Sequence, residues 1–263
     1  MAGPTENRRI FGDAMPYDVI GDVPVIFVHI PKNAGTSIKE YFNIERSCHQ
    51  TLQEMYKKYF IDKEGIQFYD SELDGREYEI LLEKKKKLLL FFKSLDSLYN
   101  IWDPAFKFSF VRNPWDRISS IYHYHREDFS EFQNFECVLR ALELKSKPFE
   151  KGVLSYTQTE FLSVGGEIEL NFLGKYENLK KDVENLYQYL TEEEAKEFDI
   201  SERRSDNSKS HYTEMYENFD SIYTVFRYFY DDVINFKYTF NNEPNCEQTR
   251  KCFERYREEL GNV

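Results

Sequence analysis

The sequence predicts an α/β fold: a P-loop-like open, mostly parallel β-sheet with helices on both faces, built as a single domain with a helical insertion. Three observations carry that expectation. Apolar, β-prone runs alternate along the chain with segments of helical periodicity, as in sheets whose parallel strands are joined by helical crossovers. The first run is apolar at nearly every position rather than at every second one, which suits a strand buried on both faces. Two of the runs lead directly into cationic, small-residue loops that open helices.

The first run, residues 25–30 (VIFVHI), reads as a strand. It is followed by Pro31, Lys32, Asn33, Ala34, Gly35, Thr36 and Ser37, and then by Ile38, Tyr41 and Phe42 at helical spacing. A small-residue loop between strand and helix turns its backbone N–H groups toward one point, and the helix dipole adds positive potential there. Lys32 supplies a full charge, Gly35 is expected to let the backbone approach a ligand closely, and Thr36 and Ser37 offer hydroxyls and possible caps. The order differs from the nucleotide-triphosphate loop G-x-x-x-x-G-K-[ST], because the first glycine is absent and the lysine precedes the small residues.

Further along, residues 50–60 carry Leu52, Met55, Tyr56, Tyr59 and Phe60 at helical spacing, and residues 62–103 read as a charged, helix-prone insertion. A second strand, residues 106–111, alternates Phe106, Phe108 and Phe110 and runs into Arg112-Asn113-Pro114. Asn at the N-cap with Pro at the first helical position is a strong helix start. Arg112 at the strand end and Ser120 two turns into the helix are candidates to close on a phosphate, since a guanidinium offers bidentate bonds and stays charged. Residues 129–145 are expected to be helical, 168–174 a third strand, 179–190 an amphipathic helix, and 222–236 the last strong helix. Residues 1–23 are expected to form an irregular arm and 241–263 a charged tail, leaving 24–240 as the domain.

Composition narrows the function classes. The chain has 263 residues, 17% aromatic and 31% charged, with a formal net charge of −12. That balance argues against nucleic-acid binding through a general basic surface, so any anionic ligand must be met by a local cationic cluster. No run approaches the ~20 apolar residues of a membrane helix. The N-terminus lacks the apolar core of a secretory signal, so a cytoplasmic protein is expected. Cys48, Cys137, Cys246 and Cys252 are too few and scattered for a disulfide framework. Reduced thiols are expected; Cys246 and Cys252 are the pair an oxidising compartment could join.

The wording HIPKNAGTS resembles the carbohydrate-type sulfotransferases, sulfotransferase family 2, which use 3′-phosphoadenosine 5′-phosphosulfate (PAPS). The block VRNPWDRISS resembles that family's 3′-phosphate motif R-[DN]-P-x-x-R-x-x-S. NFLGKYENL (171–179) and NSKSHY (207–212) are weaker likenesses, and the match is thin over the insertion. The resemblance implies that Lys32, Asn33, Ala34, Gly35, Thr36 and Ser37 hold the 5′-phosphosulfate. It implies that Arg112 and Ser120 hold the 3′-phosphate, and that Ser208, Ser210 and Tyr212 belong to a loop over the cofactor. It also implies a hydroxyl acceptor of carbohydrate type, no metal, and no nucleic-acid or integral-membrane partner. Lys32 would stabilise the departing oxygen, and His49, in the position of the family's catalytic histidine, would act as base. His29, His123, His125 and His211 are the other histidines. Two alternatives stand beside this reading: a small-molecule or nucleotide kinase with an altered phosphate loop, and a non-catalytic nucleotide-binding protein of the same fold.

Overall fold

A computed structural model describes residues 17–45, 49–55, 105–126, 134–146, 149, 154, 156–199 and 211–261. The insertion expected over 62–103 lies outside the described residues, as do Ser208 and Ser210.

Four strands form the main sheet, in the order β1 (Asp18–Ile20), β2 (Val23–Val28), β3 (Phe106–Val111) and β6 (Phe172–Lys175). β2, β3 and β6 run parallel, with Val28 opposite Ser109 and Val111 opposite Lys175. β1 is antiparallel to β2. The end of the expected irregular arm is therefore an edge strand, paired through Asp18 to Val25.

Side-chain alternation along β2 divides the core. Val25 and Phe27 join Phe108 and Phe110 on one face, beneath α1 (Gly35–Phe42) and the Val183–Leu186–Leu190 stripe of α5 (Leu179–Thr191). Ile26 and Val28 face the other side, with Phe161, Leu162 and Phe236. A strand with apolar residues on both faces can only sit inside such a three-layer stack. The third apolar cluster is helical. It packs Trp115 of α2 (Pro114–His125) with α3 (Phe135–Glu143), α6 (Phe219–Tyr228) and α8 (Glu247–Gly261). The segment expected as a charged tail thus contributes to the core, with Thr249 and Cys252 buried. Cys137, Cys246 and Cys252 are free thiols.

Two expected elements are divided. The strand anticipated over 168–174 is split between β6 and a small hairpin of β4 (Ser163–Val164) and β5 (Glu167–Ile168). Gly165 and Gly166 both have positive φ, 62° and 92°, which closes a two-residue hairpin turn and draws Glu167 and Ile168 away from the main sheet. The helix anticipated over 222–236 breaks at Phe229, giving α6 and α7 (Tyr230–Phe236). The break sets Asp232, in the first turn of α7, against the start of the short helix α4 (Gln158–Leu162). Helix is seen at residues 52–55 of the expected 50–60, and at Phe135–Glu143 of the expected 129–145. No helix among the described residues is long and apolar enough to cross a membrane.

Candidate active site

Both cationic loops leave the carboxyl ends of neighbouring parallel strands, the edge at which ligands bind in open α/β sheets. Residues 31–34 follow β2, and Arg112 and Asn113 follow β3. The structure brings them into contact. Arg112 Nη1 donates to the Lys32 carbonyl at 3.0 Å, although the two residues lie 80 positions apart. Arg117, fully buried on α2, donates from Nε to the preceding carbonyl, Pro31 O, at 3.2 Å. Asn33 Nδ2 donates to Phe110 O at 2.8 Å, and Ser109 Oγ to Val28 O at 2.7 Å. Successive carbonyls of the first loop are thus held by side chains of the second motif.

The first loop has an unusual backbone. Lys32 and Ala34 both take positive φ, 71° and 61°, in the left-handed region that side chains other than glycine seldom adopt. Ala34 is the N-cap of α1, and no side chain caps the helix. Thr36 and Ser37 lie inside its first turn rather than at the cap, correcting the expectation that they close it. The N–H groups at the start of α1 therefore have no side-chain acceptor at the cap, and the dipole favours an anion there. Gly35 also has a packing role that the sequence did not suggest. A Cβ on it would fall 1.9 Å from His29 Nε2, so its missing side chain makes room for the His29 ring.

Arg112 is braced on three sides. Nε and Nη2 each donate to the Asp116 carboxylate at 2.8 Å, Nη1 to Lys32 O, and the guanidinium lies 4.0 Å from the centre of the Tyr176 ring. Burial opposes its charge, but Asp116, with Tyr176 and Glu177, more than offsets this and raises its pKa. Among the described residues, three of its five N–H bonds have partners, which leaves two to meet an anion. Asn113 caps α2 as expected, accepting from Trp115 N at 3.0 Å. Its own N–H is held by Glu177 Oε1 at 2.7 Å. Tyr176 and Glu177 thus border Arg112. Lys32 extends its ammonium over the Tyr124 ring, 3.4 Å from the centroid.

The histidines separate clearly. His49 Nδ1 lies 3.1 Å from the His29 carbonyl. A carbonyl only accepts, so Nδ1 carries the proton, and the neutral ring keeps its lone pair on Nε2. That tautomer is the one a proton acceptor needs, on an exposed side chain. His29 is partly buried between Phe27, stacked at 5.6 Å, and His49, at 4.2 Å. Burial, then the neighbouring His49 and Lys39, pull its pKa down to about 3, so it stays neutral. His123 and His125 lie on the last turn of α2, and His211 Nδ1 bonds Thr213 Oγ1 at 2.8 Å. Ser120 is partly buried on α2, beside Ser119, whose hydroxyl meets Met215 Sδ. Tyr212 is buried with its hydroxyl donating to Phe240 O at 2.6 Å, so the structure turns that group into the core.

Sequence reasoning missed three residues: Arg117 as a grip on Pro31, Tyr124 beneath Lys32, and Gln158, which is buried between the two motifs. The only linear signal for Gln158 was its place after Thr157 in the start of a short capped helix.

A sequence model of the sulfotransferase family matches residues 15–239, most of the chain. The chain belongs to the sulfotransferase family. Comparison with curated proteins and with solved structures gives no significant match. As a sulfotransferase by family, the chain has transfer of a sulfuryl-type group as its class of reaction. The matched span covers both cationic loops, His49 and the 3-10 turn Tyr176–Asn178.

Proposed function

We propose that this sulfotransferase moves the sulfuryl group of PAPS to a hydroxyl of a carbohydrate or glycoconjugate acceptor. The observation that supports the donor most directly is the hydrogen bond from Arg112 to the Lys32 carbonyl, which joins the two cationic motifs directly. PAPS carries two anionic handles, a 5′-phosphosulfate and a 3′-phosphate. The N–H groups at the start of α1, the hydroxyls of Thr36 and Ser37, and Lys32 fit the first; the two remaining N–H bonds of Arg112, with Ser120, fit the second.

When bound, PAPS supplies the activated sulfuryl group. Lys32 and the N–H groups of α1 are fixed donors at the place where charge develops as the bond to the departing oxygen breaks. His49 takes the acceptor's proton at Nε2, and the His29 carbonyl holds its ring through Nδ1, which leaves the lone pair on Nε2. Protonation leaves Nδ1–H in place, so the positive ring keeps the same anchor.

Thermal shift with adenosine 3′,5′-bisphosphate tests the donor site. A rise in Tm is expected for the wild type, and a smaller one for Lys32→Ala and Arg112→Ala. No rise at millimolar ligand would remove the donor assignment. Sulfate transfer from labelled PAPS into a glycan extract tests the acceptor class; label appearing only in non-glycan products would remove that part alone.

A further inference from the structure

The two loops would grip opposite ends of one ligand only if the distance between them is fixed, and one buried side chain is built to fix it. Gln158, 0% exposed on the first turn of α4, lies between them. Its Oε1 accepts from Asn33 Nδ2 and from Arg112 N, both at 2.8 Å. Its Nε2 donates to Arg112 O at 2.8 Å. The amide therefore pairs with both peptide groups of Arg112 as a neighbouring strand would, just past the point where the β3 ladder ends. With the same oxygen it holds the residue next to Lys32.

The orientation of that amide is determined. Nε2 also lies 3.3 Å from Asp232 Oδ2, so nitrogen faces two acceptors while oxygen faces two donors; a flipped amide would meet like with like. Asp232 is itself fixed, because its carboxylate accepts Gln158 N at 2.9 Å, Thr159 N at 2.7 Å and Thr159 Oγ1 at 2.8 Å. α7 thus anchors α4, and α4 anchors both loops.

We infer that Gln158 is a positioning residue that sets the span between the two anion grips, and so makes the site selective for adenosine ligands with two phosphate-type ends over those with one. The inference rests on the proposed donor. When one end of a ligand is held, the second binds at an effective concentration that depends on the span being correct. A single-ended ligand gains nothing from that span. Without the amide, the Asn33 side chain and the Arg112 N–H and C=O lose their common partner, and the loops settle independently.

Calorimetric titration of wild type and Gln158→Met with adenosine 3′,5′-bisphosphate, adenosine 5′-monophosphate and adenosine 3′-monophosphate decides it. In the wild type the bisphosphate should bind tighter than either monophosphate. In the variant that advantage should shrink by about tenfold or more while the monophosphate Kd values stay nearly level. A fall of all three affinities by one common factor would show a merely structural residue and overturn the inference. A wild type indifferent to the bisphosphate would instead overturn the donor assignment, so the two failures are distinct. Should Gln158→Met not fold, amide exchange in the wild type replaces it. The Arg112 N–H should be slowed by the bisphosphate well beyond either monophosphate, and equal slowing by a monophosphate would overturn the inference.

Discussion

The two cationic loops leave adjacent strands in the same direction, yet they are held together in opposite ways. The loop after β3 secures itself: Asn113 caps α2, Pro114 presets its first turn, and Arg112 pairs with Asp116 one turn on. The loop after β2 has two strained backbone positions and an uncapped helix, and it is held from outside by Asn33's bonds to Phe110 and Gln158 and by the grips of Arg112 and Arg117. A helix start satisfied by its own side chains is stable but has fewer groups to offer. One whose cap residue offers no side-chain acceptor needs support from elsewhere and can present its N–H groups to an anion. Support and binding are divided between neighbours.

The largest expected effect lies beside the externally held loop. His49→Ala should lower kcat by about 10²–10⁴-fold, the usual contribution of a positioned base, while bisphosphate binding persists. Near-normal turnover in a transfer assay would take His49 out of the role. Next comes a direct contrast in stability, read from urea unfolding. Asn113→Ala removes the cap on Trp115 N and the bonds from Nδ2 to Thr239 O and Asn242 Oδ1. It should cost about 2 kcal/mol. Gly35→Ala should cost about 1–3 kcal/mol through overpacking against His29, and should also lower turnover, because a displaced His29 disturbs the support of His49. If Gly35→Ala leaves both stability and turnover unchanged, the loop is looser than the comparison requires.

The smallest effect near neutral pH, which grows only on the acid side, belongs to His29. His29 is neutral in the fold down to about 3, against an ordinary value of 6.5. Between those values the unfolded chain binds a proton that the folded chain does not, so stability must fall as pH drops through that window, by at most about 1.4 kcal/mol per pH unit. His29→Gln should therefore show a shallower acid-side loss than the wild type in the same range. Parallel curves would show that His29 titrates normally.

How much of this was readable in the linear chain follows the same division. Local signals carried the helix start of the arginine block, because the N-cap and the proline are neighbours in the chain; the ion pair of Arg112 with Asp116 went unread. The strand–loop–helix outline of the lysine loop was readable too. Its internal shape was not: the room that Gly35 leaves for the His29 ring could not be read, because that ring's position depends on packing with Phe27 and His49. Gln158 and Arg117 were invisible for a related reason, since their partners at Asn33 and Pro31 lie 125 and 86 positions away. The third strand was expected to begin at 168, but the double glycine at 165–166 closes a hairpin that takes up Glu167 and Ile168. Pairing of Lys107 N with Asn171 Oδ1 at 2.8 Å is where the main sheet picks the chain up again.

The direction of these long-range supports has a consequence for biosynthesis. Every grip on residues 31–33 described above comes from Phe110 or later in the chain. While a ribosome is still short of β3, the VPVIFV strand has left the exit tunnel without its parallel neighbour, and an apolar edge of that kind invites association with other chains. Newly made copies thus depend on prompt completion, or on chaperone cover, before the lysine loop takes its working shape.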